Sequence, residues 1–158
     1  MSERERSIER VEGYLREHGL EIDLLQLDKS TRTAQLAAQA IGAELGSIVK
    51  SLVFLADGEP VLVLVAGDRR ADTRRLRALL AARRVMIADA DQVREATGFT
   101  IGGVPPVAHD HPLRTLVDRN LSRFDTVYAA AGTPQAVFPI TYRQLIALTG
   151  GQEVDCTE

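Results

Sequence analysis

The sequence predicts a mixed α/β fold, a single domain with a curled, barrel-like mixed sheet and flanking helices. Three observations predict it. Two apolar runs rich in Val, Leu, Ile and Phe, residues 47–56 and 60–66, are joined by Asp57-Gly58, a hairpin signal. Further short strands and helices follow without the steady strand-helix alternation of a doubly wound sheet. No tract rich in Pro, Ser or Gly divides the 158 residues, and no repeat of solenoid period occurs.

The elements read in order as follows. A packing helix starts with Ser7 as N-cap and stops at Gly19, with Ile8, Val11, Tyr14 and Leu15 on one face. An extended run over 22–27 leads to an alanine-rich helix, 33–40, that ends at Gly42. After the hairpin, a helix over 72–80 turns Leu76, Leu79 and Leu80 to the core and leaves Arg74, Arg75 and Arg77 exposed. Residues 85–88 form a strand, Asp89 or Asp91 caps a short helix ending near Gly98, and Gly102-Gly103-Val104-Pro105-Pro106 forms a rigid loop. Strands are expected over 113–117, 126–131 and 136–140. The capping box Thr141-Tyr142-Arg143-Gln144 then opens a helix stopped by Gly150-Gly151, and a last strand covers 154–156.

Composition narrows the classes. The sequence is 45% hydrophobic, enough for a sizeable core, yet no stretch reaches the roughly 18 apolar residues of a membrane span. The charged start, Met1-Ser2-Glu3-Arg4-Glu5-Arg6, is unlike a secretory signal, so a cytoplasmic location with no membrane partner is expected. The single cysteine, Cys156, allows neither an internal disulfide nor a CxxC metal site. The net charge of −3 hides a segregation: residues 69–84 carry seven arginines against Asp72 alone. Such a segment, with Arg69, Arg70, Arg74, Arg75 and Arg77 at its head, suits polyanion phosphates or, alternatively, a solvated helix face.

Lys50 carries the most chemical information. Of 19 cationic residues 17 are arginine, and Lys50 interrupts the apolar run Ile48-Val49-Lys50-Ser51-Leu52-Val53-Phe54 on the strand face of Leu52 and Phe54. A compact ammonium there suits a phosphate or carbonyl oxygen, unless the stem snorkels to solvent. In the glycine-proline loop, Gly102 and Gly103 let backbone approach a ligand while the prolines fix its shape. Amides of Gly102, Gly103, Val104 or Val107 would serve an oxyanion hole, although the same pattern also makes a plain tight turn. His109-Asp110-His111 has no further persuasive ligands for zinc, and neither a nucleophile elbow nor a nucleotide phosphate loop is present. No metal and no cofactor is expected.

These residues resemble the YbaK family of aminoacyl-tRNA deacylases, which includes the editing domain of bacterial prolyl-tRNA synthetase. The resemblance starts near Thr31 to Gly42 and runs through Ile48 to Phe54, Gly102 to Val107 and the Asp118 region. It ends with Ala130-Ala131-Gly132-Thr133-Pro134, Val137-Phe138-Pro139-Ile140-Thr141 and Leu145, spanning about 30–150. It implies the editing-domain fold and hydrolysis of mischarged tRNA in trans, with cysteinyl or alanyl esters on proline tRNA as substrates. It further implies Lys50, Gly102 and Gly103 as catalytic residues, and Ser51, Val104, Pro106, Ala130, Gly132 and Gln135 around the substrate. In the family the lysine anchors the aminoacylated end and loop amides hold the ester carbonyl. Water, the RNA's own hydroxyl or a cysteine substrate's thiol attacks. The aminoacylated 3′ end of tRNA and prolyl-tRNA synthetase are the implied partners, with no role for DNA. Ala130 and Gln135 stand where members often carry serine and histidine. The alternative reading is a non-catalytic module of the same fold that binds aminoacyl-tRNA or a small ligand.

Overall fold

A computed structural model of the chain describes residues 1–27 and 33–158. Helix α1, Glu3–Glu17, is capped by Ser2, whose hydroxyl accepts the Glu5 N–H at 3.1 Å. The expected cap at Ser7 is thereby corrected. Ser2 is followed by Glu3 and Glu5 in the first turn, where acids favour the positive end of the helix dipole. Val11 and Leu15 form its buried stripe.

Strand β1, Leu25–Gln26, lies in the first extended run, and the next N–H, that of Leu27, donates to the Gln135 carbonyl at 2.7 Å. Helix α2, Ala34–Ile41, begins at Thr33, which accepts the Leu36 N–H, and stops at the left-handed Gly42. A 3-10 turn, Leu45–Ser47, leads into β2, Val49–Ala56. β2 folds back on β3, Glu59–Ala66, through Asp57 and Gly58. Both turn residues have positive φ, as a tight two-residue hairpin demands. Helix α3, Thr73–Leu80, is capped by Asp72, and β4, Val85–Ile87, follows. A capping box between Asp89 and Gln92 starts α4, Ala90–Thr97, which selects Asp89 over Asp91. The remaining elements are β5, Arg114–Asp118; β6, Thr126–Ala130; β7, Ala136–Thr141; α5, Tyr142–Thr149; and β8, Gln152–Val154. The last strand lies earlier than expected. β8 ends at Val154, and the Cys156 N–H turns to the buried Asp118 carboxylate at 2.9 Å instead of a strand partner.

These strands make two open sheets, ordered β1-β7-β6 and β4-β2-β3-β5-β8. The larger is mixed: its hairpin and β4 are antiparallel, while β5 and β8 run parallel to their neighbours. The expectation of a barrel-like sheet is corrected here. Among the described residues one backbone bridge, Ile48 to Tyr128, links the two sheets, and β4 pairs with β2 only over Phe54–Ala56. Val49–Val53 on that β2 edge are therefore left without a paired strand among the described residues, and the wall does not close.

β3 lies at the centre, with Val61 to Ala66 at most 4% exposed. Strands buried on both faces read as continuous apolar runs, as this one does. Leu62, Leu64 and Ala66 face a core shared with α1 and the smaller sheet; Val61, Val63 and Val65 face α3 through Leu76. Fully burying each Leu or Val contributes about 1.5–3 kcal/mol. The strand that positions Lys50 across from Val65 is thus strongly held.

Candidate functional site

The gap beside the open half of β2 is a cavity of about 390 Å³. Ile48 to Leu52 form one wall, Ala34 and Ala37 of α2 another, and Tyr128, Ala130, Pro134 and Val137 a third. Ile101, Gly102 and Val104 complete it. Small side chains on α2 and β6 leave the room, and the lining is apolar apart from a few groups, as ligand pockets commonly are.

Lys50 is the charged group on this wall. Its Nζ donates to the Arg69 carbonyl at 2.6 Å, in the turn that follows β3. Burial pushes the ammonium below the usual lysine range, Asp68 opposes that shift, and Arg70 adds to it. Among the described residues this is the ammonium's one hydrogen bond, out of three that it can donate. Ser51, next along the strand, also lines the cavity, and its buried hydroxyl has no hydrogen-bond partner among the described residues.

The loop divides into two kinds of glycine. Gly102 lines the cavity with φ of +89°, and an added Cβ would meet only Pro134 Cγ at 3.7 Å. Gly103 lies behind it: its N–H donates to Thr100 O at 3.0 Å, and a Cβ there would sit 2.7–3.0 Å from the Thr133 backbone. Its amide is therefore engaged in a turn and is not presented to the cavity. Gly102 and Val104, both cavity-lining, have no backbone hydrogen bond from their amides among the described residues.

Three other expected residues lie off this cavity. Pro106 borders a separate groove under α1, together with Arg10, Tyr14 and His109. Gly132 lets α1 approach, since a Cβ would stand 2.8 Å from the Ser7 carbonyl oxygen. The Gln135 side chain accepts a hydrogen bond from Arg4 of α1. These positions lock the N-terminal helix onto the loop and β6–β7 turn. His109 has the same role from the other side: its Nε2 bonds the Pro105 carbonyl at 2.7 Å, and its ring meets Phe99 edge-on. Among the described residues no group of three or more His, Cys, Asp or Glu could hold a metal ion.

An open sheet edge with a half-buried lysine and a glycine turn can be compared with known proteins. The aminoacyl-tRNA editing domain model matches residues 28–148. The chain belongs to this family. The editing domain is 32% identical over 140 residues to the uncharacterized protein YwhH of Bacillus subtilis (strain 168), covering 88% of each. It is also 37% identical over 93 residues to a proline–tRNA ligase of Maridesulfovibrio salexigens; the match takes in 54% of this chain and 16% of the ligase. A solved structure named "putative trans-editing enzyme for prolyl tRNA synthetase" superposes with TM-score 0.92 at 45% identity, covering 100% of this chain and 99% of the other. The hypothetical protein APE2540 superposes with TM-score 0.88 at 35% identity, over 94% and 99% of the two chains.

Within this editing domain the arginine segment is not uniform. Arg70, Arg74 and Arg77 are exposed and have no ion pair among the described residues. Arg75 is held by Asp72, by Asp155 at 3.0 Å and by the Thr157 carbonyl at 2.8 Å. Arg69 contributes its backbone carbonyl to Lys50. Sequence reasoning missed Tyr128, which alternates with Ala130 on β6, and Asp68, which sits one residue before the arginine run. The strand period could have found the first. The Thr31 part of the resemblance lies outside the described residues.

Proposed function

We propose that this chain hydrolyses the ester bond of mischarged aminoacyl-tRNA in trans, with alanyl or cysteinyl esters on proline tRNA as its substrates. The observation that carries this reading is that Lys50 and Gly102, 52 positions apart, line one largely apolar cavity. The Lys50 ammonium anchors the terminal nucleotide through a phosphate or ribose oxygen. The ester carbonyl faces the Gly102 and Val104 amides, which stabilise the negative oxygen of the tetrahedral state. Water, oriented by the neighbouring ribose hydroxyl, attacks the carbonyl carbon; the bond from that carbon to the ribose oxygen breaks, the ribose oxygen takes up a proton from the water, and the amino acid leaves as its free acid. A cavity walled by Ala34, Ala37 and Ala130 admits small side chains and completes a second sieve against products a synthetase discriminates weakly.

Arg70, Arg74 and Arg77 meet acceptor-stem phosphates in this scheme. Binding should then weaken steeply with salt, losing about one counterion per phosphate contact; affinity indifferent to salt would remove the arginines from the interface.

The test is a panel of aminoacyl-tRNAs varied in both amino acid and tRNA body, incubated with purified protein without added nucleotide. Release of alanine or cysteine from proline tRNA, above spontaneous hydrolysis, is the expected result. Tight binding with no turnover would favour the binding-module reading. That reading draws on one observation: among the described residues no carboxylate or imidazole lines the cavity to act as a general base.

A further inference from the structure

The turn that receives the Lys50 ammonium is itself clamped from outside the cavity. Asp68, adjacent to Arg69, forms a two-pronged ion pair with Arg123: Nη2 to Oδ1 at 2.6 Å and Nη1 to Oδ2 at 3.1 Å. Arg123 lies in the 3-10 turn between β5 and β6, far from β3 in sequence, with its guanidinium over the Phe124 ring at 5.0 Å. Two glycines make room for this arrangement. A Cβ on Gly46 would stand 2.7 Å from the Phe124 ring and 3.0 Å from Arg123 Nη2. A Cβ on Gly67 would strike the Leu45 carbonyl and come 3.3 Å from the Ile48 carbonyl. The turn after β3 is thus pressed onto the segment that leads into β2, with the carbonyl of Arg69 aimed at Lys50.

Bidentate arginine-carboxylate geometry fixes direction as well as distance. Its contribution to global stability is small, because the two side chains are 35% and 34% exposed and water screens their charges. A device that costs little stability but fixes one carbonyl needs another use. We propose that Asp68 and Arg123 are positioning residues for Lys50, holding the Arg69 carbonyl so that the ammonium is presented to the aminoacylated RNA end. This rests on the reading of Lys50 given above. Free of the clamp, the Lys50 stem would sample rotamers that withdraw the charge from the cavity, and ligand binding would have to order it again.

The experiment is a double-mutant cycle. The probe is an RNA microhelix ending in alanine joined by a 3′-amide, which cannot be hydrolysed, and the readout is its Kd. Asp68→Asn and Arg123→Gln should each weaken binding about tenfold in the wild-type background and less than twofold in Lys50→Ala, while Asp68→Glu retains most of the affinity. A second readout is the pH dependence of binding. Asp68 is the acid that faces Lys50, Arg70 opposes it from the same turn, and Tyr128 brings the other titratable side chain on the described cavity walls. Asp68→Asn should move the alkaline loss of affinity to lower pH, which general loosening would not do. Equal losses in the two backgrounds, or no loss in either, would overturn the positioning role alone. Wild-type affinity in Lys50→Ala would overturn both this role and the site reading beneath it.

Discussion

The two walls that make the cavity are held in different ways. Lys50 stands on a rigid strand, but its charged end depends on one hydrogen bond to a turn. The loop opposite has no charge, and its shape depends on close backbone contact: Gly103 against Thr133, and the Pro105 carbonyl against His109. Just before His109, Ala108 adopts φ of +68°, a conformation that a β-carbon resists and that brings the imidazole back onto the loop. The difference teaches that one wall can lose function without losing stability, while the other ties the two together.

Lys50→Ala should give the largest functional effect, a fall of about 100-fold or more in kcat/KM with an unchanged melting temperature, because a half-buried ammonium is removed along with its desolvation cost. A parallel loss of stability would erase the contrast between the walls. On the loop side, Gly103→Ala should destabilise by about 1–3 kcal/mol in denaturant titration, since the Thr133 backbone cannot yield as a side chain would. Gly102→Ala sharpens the same point: it has space but a positive φ, so it should cost about 1–2 kcal/mol of folding strain. A larger loss in kcat than that strain explains would place the reacting carbonyl close to this residue.

His109 gives a smaller effect with a defined sign. Burial holds its imidazole below the usual range, and the Pro105 bond only partly opposes this. Between that lowered value and the unfolded value of about 6.5, the unfolded chain binds more protons. Stability from this residue is therefore complete above about pH 6.5 and is lost as pH falls. In His109→Leu the acid-side slope should shrink while kcat falls a few-fold; an unchanged slope would show that this histidine does not couple pH to the loop.

Much of this arrangement was legible in the sequence, for reasons specific to each part. Lys50 stood out because 17 of the 19 cationic residues are arginine, and strand period gave its face. Asp57-Gly58 and Thr141-Gln144 marked their turn and cap, and the choice of Asp89 or Asp91 bracketed another cap, through local chemistry that does not depend on distant contacts. Gly103, Gly132 and Gln135 were harder. Their surroundings are supplied by Thr133, Ser7 and Arg4, and no local signal separates a glycine needed for close packing from one that faces a ligand. Sheet closure was misjudged for a related reason: the length of β4, which decides whether the β2 edge is covered, depends on tertiary pairing. The Asp68–Arg123 pair joins residues 55 positions apart and has no sequence pattern of its own.

The most direct measurement is backbone-amide NMR of the protein titrated with adenosine carrying alanine through a 3′-amide. Resonances of Lys50, Ser51, Gly102 and Val104 should shift together and saturate, and Lys50→Ala should abolish the response. Shifts confined to Arg10, Tyr14 and His109 in the groove under α1 would contradict the account.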